Sequence, residues 1–202
     1  IENYSLALLA HPNDEDIFIR RAAVYSDISK LDDALRDLTE AIRLNPKIAT
    51  AFYNRGIVNA EKGNLDASIR DYSAAITLDS KEPDYFFNRA NVYFDRGDYD
   101  ESLKDYSSYI ASKPADASAY ENRGDVYLAR SMFDLAIKDF NKAISLDAKR
   151  ANAYVGRGRA YAEKKQYISA LRDFSKAISI DNQNAYGYHN RVLVYFVLQD
   201  YS

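Results

Sequence analysis

The sequence predicts an all-α fold, an array of antiparallel helix pairs, and three observations carry the prediction. Breakers are scarce: seven Gly and four Pro in 202 residues are too few for an all-β chain with many tight turns. The chain repeats itself. FYNRG at 52–56, FFNRA at 86–90, YENRG at 120–124 and YVGRG at 154–158 each begin 34 residues after the last, and FIRRA at 18–22 and YHNRV at 188–192 lie on the same step. LTEAIRL, YSAAITL, FNKAISL and FSKAISI, beginning at 38, 72, 140 and 174, keep that step, and the apolar positions inside the period follow helical spacing.

With repeat position 1 at Glu15, one array spans residues 1–202 with five complete units, 15–48, 49–82, 83–116, 117–150 and 151–184. Residues 1–14 match the second helix of a preceding unit and 185–202 the first helix of a following one, so the chain itself, with about twelve helices, reads as a piece of a longer array. In the first helix of each unit, position 4 is aromatic in six copies (Phe18, Phe52, Phe86, Tyr120, Tyr154, Tyr188). Position 8 is small (Ala22, Gly56, Ala90, Gly124, Gly158) until Val192, and position 11 is Tyr25, Tyr93, Tyr127, Tyr161 and Tyr195, with Asn59 in the tyrosine place. These positions share one helical face.

The second helix repeats small, aromatic or Leu, small and aliphatic residues at positions 20, 24, 27 and 28, as in Ala136, Phe140, Ala143 and Ile144. Small residues opposite rings let antiparallel helices approach closely. Gly63 and Gly97 fall between paired helices, and Pro12, Pro46 and Pro114 fall where one unit ends. Arg stands at position 7 in all six copies and Asp at position 23 in all five complete units, which predicts a ladder of ion pairs between first and second helices. The last helix, apolar from Val192 to Leu198, expects cover on more than one side, from a second helix of its own unit or from self-association.

This pattern resembles the tetratricopeptide repeat (TPR) along the whole chain. Its departures are Arg at position 7, Tyr109 at a small-residue site and Asn59. The resemblance implies a right-handed superhelical solenoid with positions 2, 5, 6, 9, 12 and 13 of the first helices facing a groove. It also implies a protein–protein interaction scaffold that binds an extended peptide or a helix and mediates complex assembly. The alternatives are a recruiting arm of a larger enzyme, or an oligomerisation or spacer module.

On that frame the candidate peptide-binding residues are the position-6 amides Asn54, Asn88, Asn122 and Asn190, with Asn91 at position 9. Such amides pair with the backbone of a ligand whatever its sequence. Tyr53 and Phe87 supply apolar contact, and Asp84, Asp95, Glu121 and Asp125 belong to an acidic surface expected to favour a basic partner. No lysine stands at positions 2 or 5, which counts against the carboxylate clamp that some relatives use for chaperone tails.

Other functions find little support. With no Cys and only His11 and His189, there is no thiol nucleophile and no His-rich metal site, and no residues assemble a triad or a phosphate loop, so neither an enzyme nor a cofactor is expected. A net charge of −3 gives no bias toward nucleic acid, and no apolar run is long enough for membrane insertion.

Overall fold

The computed structural model describes residues 1–199, which form twelve helices and no strand. They are α1 (Glu2–Ala10), α2 (Glu15–Asp27), α3 (Leu31–Leu44), α4 (Ala49–Glu61), α5 (Leu65–Leu78), α6 (Pro83–Arg96), α7 (Tyr99–Ser112), α8 (Ala117–Ala129), α9 (Phe133–Leu146), α10 (Ala151–Glu163), α11 (Tyr167–Ile180) and α12 (Ala185–Gln199). The last residues of the expected final partial repeat, 200–202, lie outside the described residues. The helices fall into two compact units, one from Ile1 to Glu101 and one from Ser102 onward.

Local chemistry sets the helix boundaries. Every first helix from α2 on starts at repeat position 1 and every second helix from α3 on at position 17. Side chains of Asp14, Glu82 and Asp116 cap the N-termini of α2, α6 and α8 by accepting backbone N–H bonds, and Pro83 occupies the first turn of α6, where its missing N–H costs nothing. Between paired helices, position 15 is left-handed in all five complete units: Gly63 (φ 76°) and Gly97 (φ 88°), but also Ser29 (58°), Ser131 (57°) and Lys165 (60°). The next residue closes each helix end with a 2.8 Å backbone bond to the carbonyl of position 11, for example Met132 N to Tyr127 O. Glycine at two copies was legible as a turn; the closure imposes the same geometry on two serines and a lysine.

The core is a meshing of rings with glycine and alanine. Tyr72, Phe140 and Phe174, all at position 24, are almost wholly buried. A Cβ on Gly56 would stand 2.7 Å from Tyr72, one on Gly124 2.8 Å from Phe140 and one on Gly158 2.6 Å from Phe174, so these helices touch at backbone distance. Each such ring contributes about 1.5–3 kcal/mol of burial. Tyr109 replaces the small residue at position 27, is 5% exposed, and donates its hydroxyl at 2.7 Å to Asp116, whose other oxygen caps α8. The ring is accommodated by tying it to the next turn.

The Arg–Asp ladder is present within both units. Arg21–Asp37, Arg55–Asp71, Arg123–Asp139 and Arg157–Asp173 are each bidentate through Nε and Nη2, at 2.6–3.0 Å. The expected Arg89–Asp105 pair joins residues of different units and stands as an expectation. Each of the six position-7 guanidinium groups also lies over the position-4 ring of its own helix, at 5.3–5.9 Å from the centroid. Nη1 adds a bond the sequence reading did not anticipate: Ser5, Thr39, Ser73, Ser107, Asn141 and Ser175, at position 25 of the preceding repeat, accept it at 2.6–3.4 Å. One side chain thus fastens its own hairpin and the previous one. Asn59, in the tyrosine place, joins this network by donating to Asp71 at 2.9 Å.

Within each unit the first helices form an inner layer. In unit 1 α2 touches α4 and α4 touches α6, and in unit 2 α8 touches α10 and α10 touches α12. The backbones of the second helices α3 and α5, and likewise of α9 and α11, lie farther apart than those of the first helices, so each unit curves toward its first helices.

Candidate functional site

In unit 1 the inner layer carries Tyr53, Asn54, Asp84, Phe87, Asn88, Asn91 and Asp95. The structure brings Tyr53 and Asn88 together: Asn88 Nδ2 donates to the Tyr53 hydroxyl at 2.6 Å, and the Tyr53 ring packs 4.8 Å from Tyr85 and 5.8 Å from Tyr72. Tyr53 is therefore part of the wall, and Asn88 is already oriented by it. Asn54 lines a depression of about 260 Å³ between α2 and α4. Phe87, Asn91 and Asp84 are partly buried on α6, and Asp95 is exposed at its end.

In unit 2 the inner layer holds a larger cavity, about 480 Å³, where Glu121 and Asp125 of α8 meet Gly156 and Arg159 of α10 and His189 and Asn190 of α12. Asn122 is partly buried beside Glu121 but outside this lining. Gly156 interrupts the position-6 amides, and a Cβ there would stand 2.3 Å from Phe140, so the ring of the preceding repeat occupies the place of a side chain. Asn190 donates back to the Tyr186 carbonyl at 2.8 Å, leaving its carbonyl oxygen for a ligand.

The electrostatics of this cavity differ from a simple count of acids. Glu121, 8% exposed, accepts from Arg150 at 2.7 Å, and that bond holds the guanidinium above its usual range. Arg150 lies in the turn before α10, outside the first-helix positions, and its partnership with Glu121 has no counterpart in other repeats to reveal it. Burial pushes the Asp125 carboxyl up to about 7, with Glu121 adding to the rise and Arg159 opposing it. One acid is thus paired with a guanidinium, and the other keeps its proton to higher pH than an ordinary carboxyl does.

Among the described residues no group of His, Asp or Glu side chains could hold a metal ion, and no helix is long and apolar enough to cross a membrane.

Family models described as tetratricopeptide repeat match residues 19–83, 87–151 and 151–184. The chain belongs to the tetratricopeptide repeat family. No curated protein sequence matches it significantly. Among solved structures the repeat array is similar to YrrB, a TPR protein with an unusual peptide-binding site, at 23% identity over 93% of this chain and 97% of that one, with a TM-score of 0.81. It is also similar to a tetratricopeptide repeat protein from Parabacteroides merdae, at 24% identity, 92% and 73% coverage and a TM-score of 0.83. The first TPR of Spaghetti bound to an HSP90 peptide matches at 24% identity over 60% of this chain and 96% of that one, with a TM-score of 0.57. These likenesses establish the TPR fold, a scaffold architecture consistent with protein interaction.

Proposed function

We propose that the first-helix face of each unit binds an extended segment of a partner protein, with the position-6 amides Asn54, Asn122 and Asn190 holding its backbone and neighbouring side chains choosing its sequence. The observation that carries this reading is that depressions on the inner layers are lined by these amides, Asn54 in unit 1 and Asn190 in unit 2. Amides recognise backbone through one donor and one acceptor, and apolar or charged neighbours add preference. Asn88 contributes through Tyr53, with Phe87, Asn91, Asp84 and Asp95 beside it on α6. Glu121 and Asp125 act in the larger cavity. Peptide binding by YrrB and by the first TPR of Spaghetti supports the reading.

The test is selection of random linear peptides on the immobilised 202-residue chain, followed by fluorescence anisotropy with the best peptide against wild type and Asn54→Ala/Asn122→Ala. The double variant is expected to bind about tenfold more weakly. Equal binding by both proteins, or no selected peptide, refutes the reading.

A second reading is self-association through α12, supported by Val192 and Leu193 at 49% and Phe196 at 62% exposure. Light scattering that shows concentration-dependent dimers, lost in Phe196→Asp, would favour it over a peptide groove.

A further inference from the structure

We propose that the depression between α2 and α4 is a socket for one lysine side chain of the partner segment. This rests on the peptide-binding reading and names what that face selects. The floor is apolar: Ala22, Leu38 and Val58 are 1–3% exposed, and Ile57 stands beside them. The rim is anionic. Asp27 and Glu61, both at repeat position 13 of consecutive first helices, line the depression and are exposed to water. Asp27 makes no hydrogen bond or ion pair, and Glu61 has only a long 3.4 Å contact from the Ser26 hydroxyl. Lys62, the cation next to Glu61 in sequence, is engaged with Asp32. No cationic side chain lines the depression.

That arrangement fits a long aliphatic stem with a cationic tip. The methylenes cover the floor while the ammonium stays at the wet rim, so the charge is never stripped of solvent. A compact ammonium has three donors pointing in different directions, which suits carboxylates on two separate helices, with the Asn54 amide on the same lining; a planar guanidinium is better matched to one carboxylate approached edge-on.

The corresponding junction of unit 2 has the same construction and different chemistry. A depression of about 330 Å³ between α10 and α12 is floored by Phe174 and Val194 and lined by Asn190. There Glu163 keeps the place of Asp27, but Arg159 takes that of Ala23 and Val197 that of Glu61, with Lys165 also on the lining, so one acid faces two cations. A cation is repelled where Arg159 stands, so selectivity for lysine belongs to the unit 1 junction and not to the inner layer as a whole.

The experiment uses the selected peptides and the full chain. Lysine is expected at one register of the selected sequences. In anisotropy, Asp27→Asn/Glu61→Gln, which preserves shape at two exposed sites, is expected to weaken the lysine peptide about tenfold and to leave its methionine-substituted version unchanged. Ala23→Arg, which installs the unit 2 residue, is expected to weaken the lysine peptide as well, with circular dichroism unchanged. Selected peptides without a lysine preference, arginine in its place, or equal binding of the lysine peptide by Asp27→Asn/Glu61→Gln and wild type would overturn the socket. If Asn54→Ala/Asn122→Ala still weakens those peptides, the peptide-binding reading survives that failure; if no peptide is selected, both fall.

Discussion

Replacing Asp139 by alanine is expected to destabilise unit 2 strongly, because it removes both bonds, 2.6 and 3.0 Å, that hold the Arg123 guanidinium. The side chains of Arg123 and Asp139 are 17% and 6% exposed, so this is an interior pair and not a surface bridge of little worth. Breaking a buried pair by deleting one partner costs about 3–5 kcal/mol, since the remaining charge is left in a poor medium. Arg123 would keep its 3.0 Å bond to Ser107 and the rings of Tyr120 and Tyr127 at 5.7 and 5.9 Å, which places the expectation at the lower end, about 3 kcal/mol. For a chain of this size that corresponds to a fall of about 6–12 °C in Tm. Urea unfolding followed by circular dichroism measures the loss, and amide exchange should quicken first in α8 and α9, because repeat arrays open locally. The companion variant Arg123→Met/Asp139→Leu removes both charges and should recover most of the stability. A loss below about 1 kcal/mol for Asp139→Ala, or a companion variant more damaged than the single one, would refute the reasoning that these pairs act as interior fasteners.

Three further outcomes follow from local geometry. Asp125→Asn should gain stability over wild type as pH rises. The folded carboxyl titrates near 7, well above the unfolded value, so wild type is fully favoured below about pH 4, loses stability as the pH climbs through 7, and levels off above; parallel melting curves for the two proteins at every pH would contradict the shift. Gly158→Ala should cost about 1–3 kcal/mol in chemical denaturation even though alanine favours helix by about 1 kcal/mol, because its Cβ would sit 2.6 Å from Phe174. Ser131→Gly should gain about 1 kcal/mol in the same measurement by relieving a left-handed serine at φ 57°, and a loss there would show that the serine contributes more than its strain costs.

What the sequence determined by itself lies among the contacts that recur, though the position-7 bond to position 25 of the preceding repeat recurs as well and needed the structure to be seen. In an array of similar hairpins each contact between neighbours returns at the same step, so the residues that make it vary together along the chain and can be paired before any coordinates exist. Gly56 with Tyr72 and Gly158 with Phe174 were legible in this way, as were the position-7 arginines with their aspartates. The tertiary structure alone decided what happens once. Arg150 bonds Glu121 from a turn, Asn88 is held by Tyr53, Phe140 fills the place opened by Gly156, and the Asp125 carboxyl is pushed to about 7. None of these has a periodic counterpart, and each depends on burial and on the distance between side chains from different helices, which spacing along a chain does not encode. The repeated contacts build the scaffold, and the singular ones shape the surfaces it offers to a ligand.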